Sequence, residues 1–532
     1  MAELAPIKRA LVSVSDKTGL LPFVKSLSLR GVEVISTGGT ASALRAAGIP
    51  VTAIDAVTGF PEIMHGRVKT LHPKVHGGIL GVRDEASHAD AMREHGIQPI
   101  DLVCVNLYPF EETVAKPGCT EADAVENIDI GGPSMVRSAA KNFEWVTIVT
   151  QPGQYDRVLH EMDQHSGSTT RTLRAEFAAA AFALTSRYDA AIGAYLARKP
   201  DAVFPPLLAP TFVKAEELRY GENPHQAAAL YRAGTRTSGP SIAAAEQLHG
   251  KELSYNNIND AAAALELVRA LARVDGAGVG ACVVKHANPC GAAIAATPLD
   301  AVSEAILGDP LAAYGGILAI NRVLDESAAA RLCEKDVFLE VVVAPAFTAG
   351  ALEALRTRWA NVRLLAVGEL DRAPSERLEM RSIPGGLLVQ ERDLVAASEY
   401  VRRAGPEPDA VTLRIAAFLE AVCRALMSNA VVVGGASPTC AGSIRMFGGG
   451  AGQMDRLTSC QLACDKAGVL TRSAVAFSDA FFPFPDGPQV LLDAGIATIV
   501  HPGGSKRDTE TFALCESRGV TCLTTGVRHF RH

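Results

Sequence analysis

The chain has 532 residues, 48% hydrophobic and 20% charged, with 51 basic against 58 acidic side chains and a net charge of −7. That length gives room for roughly three or four compact cores, and the composition excludes a disordered chain. The acidic balance, with no basic stripe, excludes a nucleic-acid-binding surface, and no apolar run is long enough to span a membrane.

From Met1 to Ala10 there is no signal-peptide core, so a cytoplasmic protein is expected. Eleven cysteines, an odd number with no C-x-x-C pair, predict neither a disulfide framework nor a structural zinc site, and no metal is expected. Strand and helix signals then alternate. Strands are predicted at Ala10–Val14, Val32–Ile35, Leu102–Val105 and Val146–Val149, with helices over Leu20–Leu29 and Ala41–Ala47 and a long alanine-rich helix over about 171–198. This βαβ series predicts a parallel sheet with helices on its faces. Pro200, Pro205, Pro206 and Pro210 then mark a domain boundary, giving units 1–199 and 200–532. A weaker division is expected between about 372 and 408. Beyond the boundary, Val279–Val284, Gly316–Ile320, Val341–Ala344, Ala430–Val433 and Ala497–Val500 read as further strands, and no internal repeat is evident.

Polar residues collect just past the predicted strand ends. In the first unit these are Ser13-Val14-Ser15-Asp16-Lys17 and Ser36-Thr37-Gly38-Gly39. Backbone N–H groups at glycines, with hydroxyls and a helix N-terminus, suit a phosphate, although a single loop of this kind equally suits helix capping. Arg67, Lys69 and Thr70 follow; in an extended chain Arg67 and Lys69 would project on one side toward an anion. Asn106 and Tyr108, then Asp129-Ile130-Gly131 and Lys141, add an amide, a phenol, a carboxylate and an ammonium, the groups that acid–base chemistry uses. In the second unit, Lys285-His286-Ala287-Asn288-Pro289-Cys290-Gly291 sets a cation, an imidazole and an amide after an apolar strand, with Asn-Pro-Gly expected to turn the chain.

These motifs, in this order, are similar to those of the bifunctional family that joins an inosine monophosphate (IMP) cyclohydrolase domain to an aminoimidazole carboxamide ribonucleotide (AICAR) formyltransferase. The resemblance runs on through Arg219-Tyr220-Gly221-Glu222-Asn223-Pro224, Lys251-Glu252-Leu253-Ser254, Arg381-Ser382-Ile383-Pro384-Gly385-Gly386, Ser428-Asn429 and Ser478-Asp479-Ala480-Phe481-Phe482, and covers essentially the whole chain. It implies a methylglyoxal-synthase-like parallel sheet domain and a formyltransferase region of two cytidine-deaminase-like α/β units. It implies that Ser13, Ser15, Lys17, Ser36, Thr37, Gly38, Gly39, Arg67, Thr70, Asn106, Ile130 and Gly131 surround the cyclohydrolase nucleotide, with Lys69, Tyr108, Asp129 and Lys141 catalytic. For formyl transfer it implies His286 as general base, Lys285 as its electrostatic partner and Asn429 as a positioning amide. Arg219, Tyr220, Asn288, Gly315, Glu340, Arg456, Phe481 and Arg528 are implied to contact AICAR or folate.

The small-molecule substrates implied are AICAR, its formylated product FAICAR and the cosubstrate 10-formyltetrahydrofolate, with no tightly bound cofactor, no membrane or nucleic-acid partner, and a homodimer. Met427, Asp455 and a lysine-free stretch over 434–443 depart from the family pattern. Three rival readings fare worse. A zinc deaminase lacks its His-x-Glu and Cys-x-x-Cys ligands here. A catalytically dead nucleotide sensor would not need Lys69, Lys141, Lys285 and His286, and the glycines at 448–452 do not complete a dinucleotide fingerprint.

Overall fold

The structure is a computed structural model that describes residues 3–198, 203–233, 239–274, 276, 278–370 and 377–532. The boundary predicted at 199/200 and the start of the weaker division near 372 lie outside these residues. The chain forms two compact units: among the described residues the first takes in those up to Thr211 together with Ala233, and the second takes in Phe212–Arg232 and those from Gly239 onward.

The first unit holds a five-stranded sheet in the order 52–53, 33–36, 9–13, 102–105, 147–149, every neighbouring pair parallel. Its strands are short apolar runs, such as the fully buried Leu102–Val105, because helices cover both faces. The winding reverses between Arg9–Ser13 and Leu102–Val105, so their following loops part and open a crevice at the carboxyl ends. The long helix runs over Arg171–Leu196 with Thr170 as its cap, its side chain accepting from Leu173 N.

Among the described residues the second unit is built on a twelve-stranded sheet made of two similar halves. In the first half the antiparallel pair Val279–Lys285 and Asn288–Ala295 is followed outward by Gly316–Ile320, Leu339–Ala344 and Arg363–Ala366, with Glu246–His249 at the edge. The second half repeats this with Val431–Ala436, Ile444–Gly450, Val475–Ser478, Thr498–His501, Thr521–Thr524 and Val401–Ala404. The halves join where Ala293 and Ile294 face Arg445 and Ile444. Side chains alternate along each strand: Cys282 and Val284 face a core shared with Val432, while Val279, Ala281 and Val283 face another. The shared core is closed by Tyr255–Val274 and Ala410–Ala425, one helix from each half. The duplication that no sequence repeat announces is therefore a repeat of topology. Gly405-Pro406-Glu407-Pro408, read as a division, is the link from an edge strand to a core helix within this unit.

Candidate active sites

In the first unit the loops at the crevice are tied to one another. Ser13 Oγ lies 2.9 Å from Thr37 Oγ1, and the buried Thr40 hydroxyl both accepts from Val14 N and donates to Val14 O. Asn106 Oδ1 accepts from Ser15 N at 2.6 Å and Asp16 N at 3.1 Å, while its Nδ2 donates to Asp16 O. Asn106 is thus a clamp that shapes the Ser15 loop, and its polar atoms are engaged by the protein. Ser36 differs from expectation in the same way: its buried hydroxyl donates to Val12 O. Lys17, Gly38 and Gly39 are exposed at the mouth.

Lys69 reaches this crevice. A Cβ added to Gly38 would lie 3.9 Å from its Nζ, and its charge bears on Asp129. Burial raises the Asp129 carboxyl above the ordinary carboxylate range, partly opposed by the Gly132 N–H and the Lys69 ammonium. Asp129 Oδ1 accepts from Gly132 N at 2.9 Å, and its main-chain N donates to Tyr188 Oη at 2.7 Å. Both glycines are required here. A Cβ on Gly131 would meet Thr70 Oγ1 at 2.8 Å, and one on Gly132 would collide with Asp129 Oδ2. Tyr108 is 55% exposed just past the Asn106 clamp, and Ile130 is exposed beside Gly131.

Two residues are placed otherwise than the sequence suggests. Arg67 is not in an extended segment beside Lys69; it follows a single 3₁₀ turn, Met64–Gly66, and pairs with Glu126. Lys141 is exposed at the far end of the helix Gly131–Lys141, about 15 Å along the axis from Gly131.

In the second unit the turn after Val279–Lys285 is not made by Asn-Pro-Gly. It is a two-residue hairpin of His286 (φ 54°) and Ala287 (φ 56°), and Asn288–Ala295 pairs straight back. Both central residues in the left-handed region match the twist of a tight hairpin, at a cost of about 1–2 kcal/mol each without glycine. Asp260, which the sequence reading missed, holds them there: Oδ2 accepts from His286 N at 3.0 Å and Oδ1 from Ala287 N at 2.7 Å. Pro289 stands opposite Val284, beside the point where the ladder shifts register past Cys290, a place where a strand tolerates proline.

The turn presents an exposed His286 imidazole, and the Lys285 ammonium donates to Tyr314 O at 2.9 Å. Gly315, at φ 76°, donates its N–H to Phe338 O. Phe338 lines a cleft of about 750 Å³ shared by Arg219, Tyr220, Lys251, Glu340 and Arg363. Arg219 lies over the Tyr220 ring and Glu340 accepts from the buried Asn257.

The remaining residues gather around Asp479, which is wholly buried. Asp479 Oδ2 accepts from Ser428 Oγ at 2.6 Å and Ala430 N at 3.1 Å, while Oδ1 pairs with Arg456. Arg456 also donates to Asn429 Oδ1 at 2.6 Å. Expected as a nucleotide contact, Arg456 is instead buried and engaged in this network, where its charge is compensated. Phe481 is 37% exposed two residues beyond Asp479, and Arg528 lies over the Phe530 ring. Asn288 joins the two groups: its Nδ2 donates to His286 O and its Oδ1 accepts from Met427 N. Of the departures, Asp455 caps the helix Arg456–Ala467 by accepting from Thr458 N, and Met427 contributes main-chain bonds. Among the described residues no group of three or more His, Cys, Asp or Glu is placed to hold a metal, and no helix is long and apolar enough to cross a membrane.

The model of the AICARFT/IMPCHase bienzyme family matches residues 139–466, and that of the MGS-like domain matches residues 19–134. The chain belongs to the AICARFT/IMPCHase bienzyme family. It is 47% identical over 530 residues to the bifunctional purine biosynthesis protein PurH of Bacillus mycoides, covering 99% of this chain and 100% of the relative. It is 47% identical to that of Bacillus cereus over the same shares, and 46% identical to that of Bacillus anthracis. A solved structure, that of ForH, is 39% identical, covers 35% of this chain and 97% of its own, and superposes with a TM-score of 0.33. As a bienzyme of this family the chain carries AICAR formyltransferase and IMP cyclohydrolase activities, the last two steps of IMP synthesis, on small-molecule substrates with a folate cosubstrate.

Proposed function

We propose that the two reactions are divided between the two units, ring closure in the first and formyl transfer in the second. In the second, the formyl group of 10-formyltetrahydrofolate passes to the 5-amino group of AICAR. The lone pair of that amine is delocalised into the imidazole carboxamide, so a base must take its proton as the nitrogen attacks. His286 is that base, Lys285 stabilises the oxyanion at the formyl carbon, and Asn429 positions the reacting groups. The C–N bond to the folate breaks, its nitrogen takes up a proton, and tetrahydrofolate and FAICAR leave. Arg219 and Tyr220, in the cationic cleft beyond Gly315 and Glu340, and Phe481 and Arg528 hold the two substrates. What supports this reading above all is Asn288, whose amide ties the His286 turn to the Met427–Asn429 segment.

In the first unit the carboxamide nitrogen of FAICAR attacks the formyl carbon, and the resulting hydroxyl leaves as water. Lys69 polarises the formyl oxygen. Asp129, whose raised carboxyl suits proton transfer, and Tyr108 exchange the protons. Lys141 enters on family resemblance alone. The Ser13–Lys17 and Thr37–Gly39 loops, with Arg67 and Thr70, receive the phosphate and ribose. The protein works without a tightly bound cofactor, as a cytoplasmic homodimer. The hairpin Leu378–Ile383/Gly386–Glu391, with Met380, Ile383, Leu387 and Leu388 exposed, suits contact with a second copy.

Mixing the chain with AICAR and 10-formyltetrahydrofolate while following tetrahydrofolate and IMP separately tests the division. His286→Ala is expected to stop tetrahydrofolate release yet still convert supplied FAICAR to IMP, whereas Lys69→Ala accumulates FAICAR. Loss of both activities in either variant refutes the division.

A further inference from the structure

The segment after Thr521–Thr524 has no regular secondary structure, yet it carries an imidazole, His529, that is 1% exposed. Nδ1 lies 2.7 Å from Asp393 Oδ2 and Nε2 lies 3.1 Å from Glu420 Oε1. A neutral imidazole donates from one nitrogen only, so a ring between two carboxylates is an imidazolium. Glu420 is itself buried on the helix Ala410–Ala425, where it also accepts from Ala397 N and the Tyr400 hydroxyl. Arg424 is a further charged group near both carboxylates, Arg269, Arg273 and Arg392 line the same cavity as Asp393, and Arg531 donates to Ala425 O. The buried Cys423 thiol, near Glu420 and Asp479, is pushed far above its ordinary range by burial and stays neutral.

What this ring holds lies against the formyl-transfer site. His529 N donates to Asp479 O, the residue whose carboxylate organises Ser428, Ala430 and Arg456. Two residues on, Arg531 N donates to Ser428 Oγ at 3.0 Å while Ser428 N donates to Arg531 O at 2.8 Å. The tail therefore brackets the residue next to Asn429.

We propose that His529 is a positioning residue for formyl transfer: as an imidazolium clamped between Asp393 and Glu420 it pins the C-terminal tail against Ser428–Asn429, so that deprotonation releases the tail and lowers turnover. The proposal rests on the assignment of formyl transfer to this site. Burial alone would depress the imidazole, but hydrogen bonds to Asp393 and Glu420 outweigh it and raise its pKa from 6.5 to about 8. A base raised in the folded state contributes stability that is complete below 6.5 and lost as pH climbs through about 8. Glu420, which burial would raise, is held below its ordinary value by His529, Tyr400 and Ala397 N, so it stays charged across that window.

The test uses full-length His529→Gln and, at a carboxylate that is 38% exposed, Asp393→Asn. For His529→Gln, formyl-transfer kcat is expected to fall by at least about tenfold with the AICAR KM within about threefold, and FAICAR-to-IMP conversion within about twofold. Wild-type formyl-transfer kcat should decline as pH rises through about 8, a limb absent from His529→Gln and moved to lower pH in Asp393→Asn. A wild-type kcat with an unchanged limb in His529→Gln overturns the proposal. If His529→Gln fails to fold, the displaced limb of Asp393→Asn decides, and an undisplaced one overturns it. Hydrogen exchange at the Ser428 and Arg531 amides of wild type, corrected for intrinsic base catalysis, should accelerate across the same window, and constant protection there also refutes the latch. Acceleration without any formyl transfer by wild type counts instead against the assignment of the reaction.

Discussion

The two candidate sites are rigid for different reasons. In the first unit the groups stand at the open ends of parallel strands, and neighbouring loops hold each other through neutral bonds: Ser13 to Thr37, Thr40 to Val14, Asn106 to Ser15 and Asp16. The charged Lys69 and Asp129 stand on this neutral frame. In the second unit the frame itself is charged. Asp260 secures a strained turn, Asp479 with Arg456 secures Asn429, and His529 between two carboxylates secures the tail. Neutral frames are cheap to alter one bond at a time, whereas a buried charge deprived of its partner is not. The second site should therefore be the more fragile to single substitutions and the more sensitive to pH.

The largest expected effect follows from Asp479→Asn. Asp479 is wholly buried and Arg456 nearly so, hence the change leaves a buried guanidinium without its counter-charge and a single amide oxygen to serve Arg456, Ser428 and Ala430. A loss of about 3–5 kcal/mol is expected, confined to the second unit. Thermal unfolding followed by formyl transfer should shift down while the cyclohydrolase transition stays in place, and coincident, unshifted transitions would remove the contrast between the frames. Asp260→Asn comes next. One amide oxygen cannot replace two carboxylate oxygens under two N–H groups, so about 1–3 kcal/mol of support for the left-handed turn is lost. Formyl-transfer kcat should drop by about tenfold with little change in the AICAR KM, because the turn orients His286 and does not bind substrate. A rise in KM at constant kcat would place Asp260 in binding instead.

These same residues mark the limit of what the sequence discloses. Strands such as Leu102–Val105 and the long helix from Arg171 are written in local periodicity, and the phosphate-ready loops sit beside them in the chain. The charged frame of the second unit is assembled across separations of 26 residues for Asp260 to His286, 51 for Ser428 to Asp479 and 109 for Glu420 to His529. No local pattern encodes such pairings. The turn at His286-Ala287 escaped for the opposite reason. Turn chemistry favours glycine and asparagine, which made Asn288-Pro289 the natural choice until a distant carboxylate made a glycine-free turn tenable. The duplication is hidden because corresponding strands share burial and not identity, as where Val284 in one half answers to Gly434 in the other.

The smallest effect probes a charged pair beside the neutral frame. Arg67 and Glu126 form an ion pair with both side chains more than half exposed, so it adds little to stability, and Glu126→Gln should leave the unfolding midpoint unmoved. Its consequence is for binding. A nucleotide phosphate must compete with Glu126 for the Arg67 fork, so removing that competitor should lower the FAICAR KM by roughly two- to threefold at low salt, fading as salt screens the charges. Cyclohydrolase kcat should hold, since the charge that bears on Asp129 is that of Lys69 and the pair is Arg67 with Glu126. If the KM rises instead, Glu126 aims Arg67 at the ligand, and the first site too depends on a charged pair for its geometry.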